Sequence, residues 1–140
     1  MDNYYPDCEF RMSRDLDLLH PLVRPKVDAF IVAVKDAGID MIVTCTKRTN
    51  TEQALLYSQG RTMPGAIVTN AKPGQSAHNY GMAIDVVPVV NGKCDWVCQD
   101  LVWQEIGHIG RSCGLEWYGA PGSKFPEYPH FQLPNWETYK

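Results

Sequence analysis

No stretch of this sequence approaches the roughly 18–20 consecutive apolar residues that a membrane-spanning helix requires, so no membrane insertion is expected. A basic excess is also missing. Lys and Arg number 13 against 16 Asp and Glu, and the resulting net charge of −3 offers no electrostatic footprint for nucleic acid. The opening Met1-Asp2-Asn3-Tyr4-Tyr5-Pro6-Asp7 carries neither a basic n-region nor an apolar h-region. A secretory signal is therefore not expected, and the chain is read as made and kept in a cytoplasm unless something else releases it. An even cysteine count is lacking as well: there are 5, and with no export signal expected the odd number favours free thiols. Cys94 and Cys98 are spaced like half of a zinc site, but no second Cys or His pair matches them, and they are read as core or loop thiols. Internal repeats, low-complexity segments and linkers are absent too.

What remains is an ordinary globular composition, 44% hydrophobic and 21% charged over 140 residues, enough for one domain with a real core. Residues 1–140 are read as that domain, with 1–19 as an N-terminal arm and 134–140 as a C-terminal tail. A monomer is expected.

Ser13 is placed to cap a short turn through Asp15–Leu19. Apolar residues at Leu22, Val23, Val27, Phe30, Ile31 and Val34 recur at helical steps and predict a helix from Leu22 to Ala37. Pro25 is harmless in its first turn and Gly38 stops it. Ile39 to Thr46 is rich in β-branched residues and alternates, with Ile39, Met41, Val43 and Cys45 on one side, so it reads as a strand. Thr49 or Asn50 can cap a helix over Thr51 to Gln59. Residues 61–75 read as a long loop, of the kind that often carries function. Met82 to Val90 reads as a strand, Asn91-Gly92 as a two-residue hairpin turn, and Lys93 to Trp96 as its return. A helix over Asp100 to Cys113 follows, then short strands at Leu115 to Tyr118 and Tyr128 to Leu133. Helices segregated from hairpin-linked strands predict an α+β fold, a small antiparallel sheet packed with helices.

The chemistry gathers in Ser76-Ala77-His78-Asn79-Tyr80-Gly81-Met82-Ala83-Ile84-Asp85. Asp85 stands in an otherwise apolar run, where an ionised carboxylate is costly unless a cation or metal accompanies it. On one helix, His78 and Asp85 would be separated by about 10 Å of rise, too far to share an ion; a turn at Gly81 followed by a strand folds them together. The plainer alternative pairs Asp85 with Arg48 or Lys47 and leaves His78 on a surface loop. His130 is the candidate third ligand, sharing a strand face with Gln132 while Phe131 and Leu133 face the other way. Two His and one carboxylate leave a fourth tetrahedral position for water, as a catalytic zinc needs, and Glu127 could take a proton from that water. Otherwise Glu127 is an exposed loop carboxylate. Arg48, at a strand end, could polarise a carbonyl in the cleft or simply pair with a surface acid. Gln53 could line the same cleft, and Ser76 could bond a ligand side chain or serve the turn. Tyr80, Trp117, Tyr118 and Tyr128 are candidate cleft walls or core. His20 and His108 read as structural or solvated.

These residues resemble a known group. Ser76-x-His78-x-x-Gly81-x-Ala83-x-Asp85 is similar to the signature of the VanY-like zinc D-alanyl-D-alanine and L-alanyl-D-glutamate peptidases. Arg48-Thr49, Glu52-Gln53, Leu56-Tyr57-x-x-Gly60-Arg61-Thr62, Pro64-Gly65, Val68-Thr69-Asn70-Ala71-Lys72, Gly114-Leu115-Glu116-Trp117 and Pro129-His130-Phe131 resemble the L-alanyl-D-glutamate branch in particular. The resemblance implies a Hedgehog/D-Ala-D-Ala-peptidase-like fold and one catalytic zinc held by His78, Asp85 and His130. It further implies Glu127 as general base and Arg48 as oxyanion stabiliser, acting on the L-Ala–D-Glu bond of the peptidoglycan stem peptide. It also suggests a phage endolysin of the type that infects Gram-negative cells, made in the host cytoplasm and acting on the wall in the periplasm after release. A D,D-carboxypeptidase or dipeptidase of the same family is the alternative, and a non-catalytic zinc-binding wall module is a more remote one. Three departures stand out: Lys47 before Arg48 in place of an aromatic, Glu127 in place of Asp, and Tyr118-Gly119-Ala120-Pro121 where Gly-Gly-Asp-Trp is common.

Overall fold

The computed structural model describes residues 12–122 and 126–140. Three helices, α1 (Arg24–Asp36), α2 (Asn50–Ser58) and α3 (Asp100–Ser112), accompany five strands, β1 (Met41–Cys45), β2 (Ala83–Val90), β3 (Lys93–Cys94), β4 (Glu116–Trp117) and β5 (His130–Gln132). The strands form one antiparallel sheet in the order β1-β2-β5-β4, with β3 hairpinned onto β2. The expected α+β architecture is present, and each expected helix and strand lies within a few residues of its predicted bounds. Among the described residues no helix is long and apolar enough to cross a membrane.

One face of the sheet carries the core. Ile84 pairs with Phe131 across β2 and β5, and Trp117 pairs with Phe131 from β4. The buried stripe of α1, Val27, Phe30 and Val34, follows helical spacing onto this face, and the Phe30 and Phe131 rings lie 4.7 Å apart. On α3, Gly107 and Gly110 bring the helix backbone against the sheet. A Cβ at Gly107 would stand 2.3 Å from the Trp117 ring, and one at Gly110 would stand 2.4 Å from Phe131. The two glycines are thus a close-approach device, and the aromatics fill the space they leave.

The opposite face carries Asp85, His130 and Gln132, which the pleat places beside one another because Asp85 pairs with His130 and Ala83 with Gln132. A register shift between Val43 and Cys45 adds a residue to β1. Cys45 consequently aligns with Asp85, whereas Val43 aligns with Val86 on the core side. The simple alternation expected for β1, with Val43 and Cys45 on one side, is therefore broken by a bulge that delivers Cys45 to the Asp85 face.

Two further readings change, and the C-terminal tail gains detail. The arm contains a 3-10 turn at Leu16–Leu18 capped by Asp15 rather than Ser13, since the Asp15 carboxylate accepts from the Asp17 amide at 2.9 Å. Ser13 caps in its own way, by accepting from the Asp15 amide at 3.1 Å. The tail is ordered: a 3-10 turn at Trp136–Tyr139 buries Trp136, whose ring lies 5.6 Å from that of Tyr80. Cys94 is disulfide-bonded, against the expectation of free thiols, while Cys45, Cys98 and Cys113 are free. The residues of the arm before Met12, and Cys8 with them, lie outside the described residues.

Candidate active site

His78 is delivered by a 3-10 turn, Ala77–Tyr80, that its own flanking residues build. Ser76 Oγ accepts from the His78 amide at 3.2 Å, and Asn79 Oδ1 accepts from the amides of Ser76 at 3.2 Å and Gly74 at 3.0 Å. Asn79 Nδ2 donates to the Arg48 carbonyl at 3.1 Å, and the Arg48 amide donates to the His78 carbonyl at 2.9 Å. The turn ends on Gly81 at φ 68°, where an added Cβ would stand 2.6 Å from the Leu18 carbonyl, so the position is closed to other residues by conformation and by space. The chain then enters β2 and presents Asp85 back toward His78.

The result is a convergence on one oxygen. His78 Nε2 lies 3.1 Å and His130 Nδ1 3.3 Å from Asp85 Oδ1. The opposite nitrogens are both engaged. His78 Nδ1 lies 2.8 Å from the Thr46 carbonyl, which can only accept, so Nδ1 carries the hydrogen. His130 Nε2 lies 2.9 Å from Gln132 Oε1, while Gln132 Nε2 donates to the Glu116 carboxylate at 2.9 Å. The carboxylate fixes the orientation of the Gln132 amide, and the amide oxygen in turn draws the hydrogen of His130 to Nε2. Each imidazole is left with a lone pair turned onto Asp85 Oδ1.

An imidazole lone pair and a carboxylate oxygen at such range repel unless a proton or a cation lies between them. Ligands bound at 2.0–2.1 Å in a tetrahedral zinc site stand roughly 3.3 Å apart, which matches the separation of each histidine nitrogen from Asp85 Oδ1. Two imidazoles and a carboxylate, with each imidazole N–H held by a carbonyl-type oxygen, form a donor set that fits zinc. Without a metal the requirement falls on protons. Burial alone would raise the Asp85 pKa, but His78 and His130 hold it well below the ordinary carboxylate range. Burial likewise lowers the pKa of His130, and the hydrogen bond and charge of Asp85 outweigh it, so the net shift is upward.

Cys45 is a neighbour that sequence reasoning missed. Its Sγ, a nitrogen of His78 and an oxygen of Asp85 lie within 4.8 Å of one another, a grouping able to approach a metal that does not include His130. Its sulfur, however, lies 3.7 Å from His78 Nδ1, the nitrogen already committed to Thr46. Burial, reinforced by Asp85, pushes the Cys45 thiol up to about 12 in the metal-free protein. Only the β1 bulge brings it here, and the sequence carries no mark of that bulge.

Arg48 lines the cleft with its Nη2 3.9 Å from Asp85 Oδ2, the oxygen turned away from the histidines. The Arg48–Asp85 pairing weighed from sequence thus exists, and it coexists with the histidine cluster. Gln53 is fully buried; its Oε1 accepts from Arg48 Nη1 at 2.9 Å and its Nε2 donates to the Ala71 carbonyl at 2.8 Å. It supports Arg48 from behind and is not part of the cleft lining. Glu127 stands exposed on the cleft wall, at the start of a turn in which the His130 amide donates to the Glu127 carbonyl at 3.2 Å.

The aromatic candidates separate. Tyr118 and Tyr128 line the cleft, and the Tyr118 ring lies 4.4 Å from that of His130. Trp117 does not: strand alternation turns it into the core against Phe131, and its Nε1 donates to the Tyr128 carbonyl at 2.8 Å. Tyr80 does not either, because its hydroxyl is spent on the Gly74 carbonyl at 3.0 Å and its ring on Trp136. Ser76 borders the cleft, but its hydroxyl serves the turn rather than a ligand side chain. The cleft encloses about 650 Å³, and Val68–Ala71, Pro126–Pro129, Tyr118 and Trp136 are among the residues that line it. That is room for a short peptide over the histidine cluster.

Residues 17–115 match the VanY D-alanyl-D-alanine carboxypeptidase family. The chain is 38% identical over 133 residues to the peptidoglycan L-alanyl-D-glutamate endopeptidase CwlK of Bacillus subtilis, a match covering 84% of this chain and 75% of that one. The Serratia marcescens L-Ala D-Glu endopeptidase ChiX superposes with a TM-score of 0.65 at 21% identity, over 89% of this chain and 86% of ChiX. A variant of the D,D-pentapeptidase VanY from the VanB-type resistance cassette, in complex with Zn(II), superposes at 0.57 and 17% identity, over 85% of this chain and 74% of that one. The fold is the Hedgehog/D-Ala-D-Ala-peptidase-like fold of these enzymes.

Proposed function

Because the chain belongs to the VanY D-alanyl-D-alanine carboxypeptidase family, we propose that it is a zinc-dependent peptidoglycan peptidase that hydrolyses the L-Ala–D-Glu bond of the stem peptide. The observation that carries the reading is the pair of imidazole lone pairs turned onto Asp85 Oδ1 by Thr46 and Gln132. The choice of bond rests on the likeness to CwlK. The setting that accompanies it is a phage endolysin, made in the host cytoplasm and acting on the wall after release, with one zinc ion per monomeric chain.

His78, Asp85 and His130 would hold the ion, which when bound supplies Lewis acidity and brings a water toward a neutral pKa. The chain's own residues do the rest. Glu127, on the cleft wall, takes a proton from water as its oxygen attacks the scissile carbonyl carbon. As the C–N bond breaks, Glu127 returns that proton to the departing amine, so the products are a carboxylate and a new amino terminus. Arg48, steadied by Gln53, faces the carbonyl oxygen while negative charge builds on it. Tyr118 packs on His130 and limits its movement and its contact with water.

The test is digestion of purified peptidoglycan with mass spectrometry of the released peptides. New amino-terminal D-glutamate is the expected product. Loss of terminal D-alanine instead would assign the chain to D-alanyl-D-alanine carboxypeptidase chemistry. Intact walls, with zinc bound, would point to a binding module.

A further inference from the structure

The sequence marked residues 61–75 as a long loop, and the structure shows that the loop is tied down. Residues 66–72 run without a turn or a bend along one side of the cleft. Their main chain is held in an alternating manner. The Thr69 carbonyl accepts from Arg61 Nη1 at 3.1 Å, and the Ala71 carbonyl accepts from Gln53 Nε2 at 2.8 Å. The Ala71 amide donates to Thr69 Oγ1 at 3.1 Å. Arg61 is itself fixed: Nη1 donates to the Tyr57 carbonyl at 2.6 Å, Nη2 to Asn70 Oδ1 at 3.3 Å, and its guanidinium lies 3.8 Å from the centre of the Tyr57 ring.

In straight extended chain, the N–H and C=O of successive residues point to opposite sides. The Thr69 and Ala71 carbonyls are taken up by Arg61 and Gln53, and alternation along an extended chain would turn the main-chain groups of Val68 and Asn70 the other way. Among the described residues they have no hydrogen-bond partner, and both residues are exposed. The segment has the organisation of a sheet edge. It borders the same cleft as Glu127 and His130, and Gln53 links it to Arg48.

We infer that Val68–Asn70 is a docking edge on which the substrate lies as a short extended strand, its main-chain groups bonded to those of Val68 and Asn70. The inference rests on the stem-peptide reading above, and it specifies how the peptide is held. Main-chain pairing supplies affinity without demanding particular side chains. It suits a ligand offering small side chains such as alanine next to the scissile bond. The link through Gln53 also sets the edge in register with Arg48, so a peptide aligned on the edge has its carbonyl placed at Arg48.

The experiment is amide hydrogen exchange by NMR on the zinc-loaded Glu127→Gln protein, with and without a synthetic stem peptide containing L-Ala–D-Glu. At saturation, exchange at Val68 and Asn70 should slow at least tenfold, while the Ala71 amide, already bonded to Thr69, should change little. In parallel, replacing the L-Ala amide of the peptide by an ester removes one donor and should raise KM for the wild-type enzyme about tenfold with kcat much less affected. Peptide binding that shifts Arg48 and Tyr118 resonances but leaves exchange at Val68 and Asn70 unchanged would overturn the docking edge alone. Protection at both amides, with no cleavage of any stem peptide by the wild type, would keep the edge and remove the proposed reaction. Absence of peptide binding would overturn both.

Discussion

Gln132 Oε1 lies 2.9 Å from His130 Nε2, and that contact decides which nitrogen of His130 faces Asp85. Glu116 sets the direction of the Gln132 amide, so an exposed carboxylate on β4 acts through two hydrogen bonds on the imidazole that faces Asp85. Replacing Gln132 with Ala frees the imidazole to take the other tautomer. Zinc affinity should fall by about 10- to 100-fold, as is typical when an outer partner of a ligand histidine is lost. Chelator competition measures it. Unchanged affinity would mean that Gln132 does not orient His130.

Glu127 is exposed and lies outside the histidine cluster, so its loss should leave the metal in place. Glu127→Gln should retain one zinc per chain and lose roughly 10²- to 10⁴-fold in kcat, the usual contribution of a general base. Metal analysis alongside wall-hydrolysis rates checks both halves. Undiminished hydrolysis would take Glu127 out of the proton-transfer role.

The protons that stand in for a metal make stability depend on pH in a defined sense. The pKa of His130 is raised in the folded chain, so without metal its contribution is complete below the unfolded value near ~6.5 and is lost as pH rises through the folded value. The pKa of Asp85 is lowered, so its contribution is complete above ~3.9 and is lost as pH falls through the folded value. The metal-free protein should therefore gain most from this pair between about pH 4 and 6.5. Zinc competes with the His130 proton, so the rise in Tm on adding zinc should be larger at pH 8 than at pH 6. Thermal melts with and without chelator at the two pH values measure this; an equal rise would contradict the proton competition.

Gly110 faces the Phe131 ring at a distance no side chain can share. Gly110→Val should destabilise the fold by at least the ~1–3 kcal/mol of an overpacked core, despite the better helix propensity of most residues over glycine. Urea unfolding would read the change as a lower midpoint. Because Phe131 adjoins His130 in β5, the same variant should also weaken zinc binding.

Much of this site could be read in the order of residues. Helical spacing placed Val27, Phe30 and Val34 on one buried stripe, and Asn91-Gly92 forms the expected hairpin turn, with φ 53° and 77°. Asp85 stood out because it is a charge in an apolar strand, and His130 because its strand alternates. The parts that were not legible are main-chain and register effects. The Thr46 carbonyl that fixes His78 has no residue type to betray it, and the bulge that brings Cys45 to Asp85 depends on pairing with β2. Trp117 and Tyr80 sit beside site motifs in sequence yet point away in space, since alternation and a spent hydroxyl, not proximity along the chain, decide where they go. Nothing in the order of residues shows that Trp136 of the C-terminal tail is buried on Tyr80 and lines the cleft.

The central claim is that the ion is held by His78, Asp85 and His130, with Cys45 standing behind His78 rather than on the metal. X-ray absorption spectroscopy of the zinc-loaded protein tests this directly, because zinc–sulfur and zinc–nitrogen or zinc–oxygen distances are well separated, about 2.3 Å against about 2.0–2.2 Å. The account predicts a first shell of nitrogen and oxygen only, unchanged in Cys45→Ser. A sulfur shell near 2.3 Å that disappears in Cys45→Ser would contradict it.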